Sequence, residues 1–346
     1  MRRIIIFLLI LASLTISVSA TEITAPVPPA DAEDLMPAVT NNFFEDLMEI
    51  INNALQIIAP EIRAAGALCA SLVGICILVS MLRFIPGASE RITDIAAVVV
   101  ISVLLLQSSH SMIGFARDTI RDMSEYGKLL LPVMTTALAA EGGLTASGAL
   151  YACTVIFDTI LTSAIPALLI PLVYMYLAVS VAQIASGDES LKKIRDFIKW
   201  LCGWGLKTVL YIFTGFMGIT NVVSGTADAA ALKAAKLTIS GMVPVVGGIL
   251  SDASESVLIG ASVVKNAVGI YGLLAMIAIW VGPFLSIGIQ YLTLKLTGAF
   301  SSVFQNKTIS ELTGAFATAM GLLLAMTGAV CYLQLISTIC FMKGVT

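Results

Sequence analysis

Charge, histidine and paired cysteines are what this chain has least of. Charged residues fill 12% of its 346 positions, where soluble domains carry about a quarter. With 58% hydrophobic residues and a mean hydropathy of +0.98, lipid must be the solvent for most of it. That excludes a water-soluble globular enzyme. His110 is the sole histidine, so a histidine-rich metal site or a Ser-His-Asp arrangement lacks its parts. There is no GxxxxGK-Ser/Thr loop, so the chain is not expected to hydrolyse nucleotide itself. Cys69, Cys76, Cys153, Cys202, Cys331 and Cys340 all lie in apolar stretches, form no CxxC pair and read as small buried hydrophobes. No catalytic residue, metal site, cofactor or nucleic-acid partner is expected, and no paired-residue motif supports an intramembrane enzyme.

What is present is one apolar stretch after another behind an export signal. Arg2 and Arg3 form a positive n-region, Ile4 to Leu14 an apolar core, and Val18-Ser19-Ala20 a small-residue cleavage site. Cleavage after Ala20 is expected, because the core is short for a span of roughly 20 residues. The alternative is a retained first helix. Residues 21–40 are acidic and proline-rich, like an extracytoplasmic linker. Residues 41–65 place Phe44, Leu47, Met48, Ile51, Leu55 and Ile58 at helical spacing, an amphipathic helix for the membrane surface or a partner. Residues 66–128 hold two spans and a second amphipathic helix. The fold class is therefore all-α, a polytopic helical membrane protein with six crossings after the signal.

Two further units follow, residues 129–223 and 224–341. LLLPVMTTALAAEGG from Leu129 aligns with GMVPVVGGILSDASE from Gly241 when Pro132 is set on Pro244. Each unit then runs through a long apolar segment, a basic loop and a returning span. Both would begin and end outside the cytoplasm, which makes them parallel repeats. The long segments are expected to be broken at Pro166, Pro171 and Pro283. Gly142-Gly143 and Gly247-Gly248 read as turns of short re-entrant elements around Pro132 and Pro244, because so few broken apolar residues cannot span about 30 Å of hydrocarbon. Three short loops rich in basic residues (Arg83, Arg91; Lys192, Lys193, Arg195, Lys199; Lys295, Lys307) are assigned to the cytoplasm. The raw basic count is the same on the other side, so the signal carries most of that orientation.

Two charges are stranded in apolar sequence. Asp158 and Lys207 would each cost about 2.5–3.5 kcal/mol near mid-membrane, so neither should face lipid. They are expected to face each other inside the bundle. The alternatives are snorkelling for Lys207 and an outer-interface position for Asp158. Lys265, with Asn266, is placed at the outer interface.

The run AKLTISGMVPVVGGILSDASESVLIGASVVKNAVGIYGLL, Ala235 to Leu274, resembles the signature stretch of the stage III sporulation protein AE family. The VPVVGG-x-LSDA followed at fixed distance by KNAVG is its most specific element. The LLLPVMTTALAA element and the LKKIRDFIKW loop are similar too and come in the same order. The likeness spans about residues 41–339. It implies a multi-pass protein of the mother-cell-derived outer membrane around the forespore. Implied partners are other products of the stage III operon, including a separate ATPase subunit, and a forespore-side protein. Together these would form a channel or secretion-like complex supporting late forespore gene expression. A free-standing secondary transporter using the broken helices as a substrate site is the competing reading.

Overall fold

The computed structural model describes residues 24–37, 42–82, 90–141, 144–242, 247–304 and 306–342. The export signal, with its cleavage position after Ala20, lies outside them, as do Gly142, Gly143 and Pro244. The chain is an all-α polytopic helical protein, with no strand among the described residues. Its elements are α1 (Ala30–Glu33), α2 (Phe43–Ile57), α3 (Ala59–Leu82), α4 (Glu90–Ala140), α5 (Leu144–Ala164), a π-helical turn (Ile165–Leu169), α6 (Ile170–Ser186), α7 (Glu189–Met242), α8 (Gly247–Val303) and α9 (Lys307–Met342).

Local chemistry explains several boundaries. The Asn42 side chain accepts a hydrogen bond from the Phe44 amide at 3.2 Å, and Glu45 and Asp46 sit in the first turn of α2. Both devices stabilise a helix N-terminus. Gly187 ends α6 in the left-handed region at φ 75°, its N–H donating to the Gln183 carbonyl at 2.8 Å. A side chain would be strained there. That turn sends α7 back antiparallel along α6, where Arg195 donates to Gln183 at 2.8 Å.

Three expectations change. Residues 24–37 are not a free linker, since Ala32 and Leu35 are buried and the Asn53 amide donates to the Leu35 carbonyl. The amphipathic helix ends at Ile57, and a new helix starts at Ala59 and carries straight on to Leu82. Its buried face is shifted: Leu47 and Ile58 of the expected set pack inward together with Ile50 and Ala54, while Phe44, Met48 and Leu55 are exposed. Finally, residues 129–140 are no re-entrant hairpin but the last three turns of α4, which runs unbroken through Pro132. Proline there removes one hydrogen bond and crowds the preceding turn. Burial of Leu130, Leu131, Met134 and Leu138 around it holds the helix together. On the second unit, Gly247 and Gly248 open the long helix α8.

The prolines expected to break helices divide. Pro166 lies in the π turn and Pro171 in the first turn of α6, so the long first segment is interrupted there. Pro283 lies inside α8, which continues through it.

The long helices pack in a defined register. α4 and α8 are antiparallel, with Glu141 against Lys265 at one end and Ser108 receiving a hydrogen bond from Gln290 (2.9 Å) further along. α9 lies against both, and its Gln334 and Ser337 meet Asp158 and Thr154 of α5. The helix ends flanking the three basic loops meet at one end of the bundle, where Asp94, Ile184, Gly187 and Thr308 line a common cavity.

Five helical stretches among the described residues are long and apolar enough to cross a membrane: Ala59–Leu82, Ile92–Ala140, Ala167–Ser186, Ser262–Val303 and Lys307–Met342. The sixth expected crossing, Trp200–Val222, falls on α7, which is not among them. Measured from the gathered end, about 30 Å of hydrocarbon takes about 20 residues of each helix. α4 has 51 residues, a length of about 77 Å. It and its neighbours therefore project well beyond the membrane section. Exposed Ile95, Val99 and Val103 fall inside that section, whereas the charged run from Arg117 to Lys128 falls beyond it. In a cysteine-free background, cysteines placed at Arg117 and Glu125 should react with an impermeant maleimide from the side opposite to one at Asp188. One at Val103 should react from neither. Labelling of Val103, or of all positions from one side, would refute this depth assignment.

Candidate functional site: a buried polar layer and an acidic cavity

Two polar arrangements stand out in a molecule otherwise packed with aliphatic side chains. The first is a layer joining α4, α5 and α9. Asp158, 7% exposed, receives hydrogen bonds from Ser124 Oγ at 3.0 Å and from Gln334 Nε2 at 2.7 Å. One turn away the Thr154 and Ser337 hydroxyls lie 2.9 Å apart. Gln334 fits only because α4 has no side chain at Gly127, where a Cβ would fall 2.7 Å from the Gln334 amide. Edge-to-face packing of Phe157 on Phe213 (centroids 5.2 Å apart) covers the layer from α7. A buried carboxylate is tolerated when donors of this kind compensate for lost water.

The expected Asp158–Lys207 pair does not form. The inward stripe of α7 is Ile198, Cys202, Leu206 and Phe213, and Lys207 points away from it, exposed. Asp158 is also not at mid-membrane depth. It stands about 40 Å from the gathered end, level with Ser124 and Gln334 in the projecting part. Polar residues on other helices replace the lysine, and Gln334 gave no signal in a hydropathy reading of α9 because a lone glutamine hardly dents an apolar run.

A buried ion pair was missed for a related reason. Lys265 of α8 is 1% exposed and bonds directly to Glu141 at the end of α4. Sequence placed Lys265 at an interface, but its partner lies 124 residues away, which no local spacing reveals.

The second arrangement is a cavity of about 430 Å³ beneath the N-terminal segment, between α2, α3, α4 and α8. Asp31, Asp34, Glu61, Asp118 and Asp122 line it, together with Leu35, Ile57, Ile58 and Ile279, and no lysine or arginine does. A neighbouring cavity of about 420 Å³ shares Glu61 and Ser286 with it and adds Gln107, Ser108, Ser111 and Gln290. Among the described residues no three His, Cys, Asp or Glu side chains converge to hold a metal ion.

The polar layer makes a clear statement about stability. Asp158→Ala strands two buried donors and should cost about 1–3 kcal/mol, whereas Lys207→Met should stay within about 0.5 kcal/mol. Lys265→Met leaves Glu141 uncompensated and should cost about 3–5 kcal/mol, with Lys265→Met/Glu141→Leu recovering most of it. Unfolding in detergent, followed by circular dichroism, measures all four. A Lys207→Met variant as unstable as Asp158→Ala would contradict the geometry.

Comparison with known proteins agrees with the earlier resemblance. The family model described as Stage III sporulation protein AE matches residues 30–344. The chain is 22% identical over 268 residues to the Stage III sporulation protein AE of Bacillus subtilis (strain 168), an alignment covering 76% of this chain and 67% of that one. No solved structure matches. The matched span takes in α1, the polar layer, the Lys265–Glu141 pair and all five candidate spans, and the chain belongs to the stage III sporulation protein AE family.

Proposed function

We propose that this chain is a non-enzymatic membrane subunit of a multiprotein channel or secretion-like complex between mother cell and forespore. It would sit in the mother-cell-derived outer membrane, beside other stage III operon products, with a separate ATPase subunit and a forespore-side protein as partners. Family membership ties it to sporulation. The complex is inferred from one surface.

That surface is the outward face of α7. Lys207 is exposed there, about 27 Å along α7 from the gathered end, and Lys199, exposed at about 15 Å, lies on the flank of the helix nearer the inward stripe. Phe197, Trp200 and Trp204 form a stack on the same helix, with centroid separations of 5.9 and 5.8 Å, and each is more than half exposed. Since α7 runs alongside α6, a candidate span, these residues stand at membrane depth. A lysine facing lipid at such a depth is costly. Exposed aromatic rings interleaved with cations are the composition of a protein interface core. Such a face suits a protein partner or a shared aqueous conduit better than it suits lipid.

A photo-crosslinking amino acid at Lys199 or Trp204, introduced in sporulating cells, should trap a partner protein, while the same residue at Val103 should trap lipid. Crosslinking to lipid alone at all three positions would overturn the reading. Solute uptake by the purified chain in vesicles would favour the transporter, which the interruption at Pro166 and Pro171 also fits.

A further inference from the structure

The acid-lined cavity has features that neither the family nor the proposed complex accounts for. Its five carboxylates come from three separate elements: Asp31 and Asp34 from the N-terminal segment, Glu61 from α3, and Asp118 and Asp122 one turn apart on α4. None has an ion-pair or hydrogen-bond partner among the described residues. Arg121 acts on Asp118 and Asp122 from outside the cavity but is itself paired with Glu125, so negative charge stays in excess there and a cation that enters is favoured.

An independent observation points to a ligand in the same space. Ser286 of α8 is 8% exposed and lines both this cavity and its neighbour. Among the described residues its hydroxyl has no hydrogen-bond partner, and its oxygen is open to the cavity space. A helical serine commonly bonds back to the carbonyl four residues earlier, as Ser302 does to Gly298. Ser286 instead turns to the cavity. Beside it, Pro283 has no N–H, so the Ile279 carbonyl loses its usual helical donor, and Ile279 also lines the cavity. The floor therefore offers a hydroxyl and a carbonyl oxygen, both acceptors, beneath a rim of carboxylates.

The walls between rim and floor are aliphatic: Leu35, Ile57, Ile58 and Ile279. A small hydrated metal ion would use neither these walls nor carboxylates spread so widely. An aliphatic chain carrying several ammonium groups uses both, with methylenes against the walls and N–H donors to the carboxylates, Ser286 and the carbonyl.

We propose that this cavity is a binding site for a linear aliphatic polyamine, closed on one side by the segment carrying Asp31 and Asp34. It lies where the bundle leaves the hydrocarbon, with the second cavity extending about 10 Å inward along α4, from near Ser111 to Leu104. The amine thus enters from the end of the bundle remote from the basic loops.

Calorimetric titration of the full chain in lipid nanodiscs with spermidine tests the site. Saturable one-site binding is expected, weakened roughly tenfold or more by Asp118→Asn/Asp122→Asn, which removes charge-assisted hydrogen bonds. Glu125→Gln, whose native carboxylate pairs with Arg121 outside the cavity, should bind as the unaltered chain does. Glu61→Gln should also weaken binding and keeps the test decisive if the double variant does not fold. n-Butylamine, with one ammonium like a lysine side chain, should bind at least roughly tenfold more weakly, and magnesium at equal charge should not displace spermidine. Absence of saturable binding, equal binding by the cavity variants, equal affinity for butylamine or displacement by magnesium would each overturn the assignment.

Discussion

The antiparallel contact of α4 with α8, reinforced by α9, governs the rest of the molecule because it is far longer than a bilayer is thick. Lipid gives no hydrophobic drive for apolar helices to associate, so helices within it are held by close packing and polar contacts. Outside it, ordinary burial of apolar surface adds its full weight. A pair of helices that is continuous across the boundary uses both. The Ser108–Gln290 hydrogen bond serves the membrane section and the Glu141–Lys265 pair the far end. Between them Tyr126, Leu130 and Met134 are buried.

This length also decides which polar groups are affordable. Asp158, Glu141 and Lys265 would be ruinous facing lipid, but each is enclosed by protein in the projecting part, with named partners. The membrane section itself uses neutral groups. Thr297 donates to its own helix at Thr293, and Ser80 to Cys76. Charge returns at Lys295 of α8, which lies over the Tyr291 ring, and on α7 at Lys199 and Lys207, of which Lys207 stands deepest and beside exposed aromatic rings.

The class of the fold was legible because hydropathy reports solvent, and the resemblance was legible because VPVVGG-x-LSDA and KNAVG are local strings. What stayed hidden depended on distance. Asp158 stands out in the sequence as a lone charge, but Ser124 and Gln334 lie 34 and 176 residues away, and oppositely charged Lys207 is the more visible candidate. The acidic cavity was hidden for the same reason, since Asp31, Glu61 and Asp118 are unremarkable surface residues in their own segments. Element ends suffered from a different confusion. A helix that leaves the bilayer and continues looks, by hydropathy, like a span followed by a separate amphipathic helix. That is how the single helix α4 reads in the sequence as a span, an amphipathic helix and, after residue 128, the start of another unit.

The prolines show why a breaking residue cannot be interpreted without its surroundings. Pro132 and Pro283 both remove a helical hydrogen bond, yet α4 and α8 run through them, because each helix is clamped by neighbours on both sides of the defect. Pro166 sits instead where Ile165 is buried but Leu168 is exposed, and the strain is released as a π turn. Counting from the gathered end, Pro166 and Pro283 lie at nearly one level, about 30 Å up, where α3 also begins and the N-terminal segment packs. These two defects, unlike Pro132 in the projecting part of α4, lie where hydrocarbon gives way to water, and a carbonyl freed there finds a donor in solvent or in a ligand. The same level carries the acidic cavity, so the backbone irregularity and the unpaired carboxylates are two consequences of one boundary.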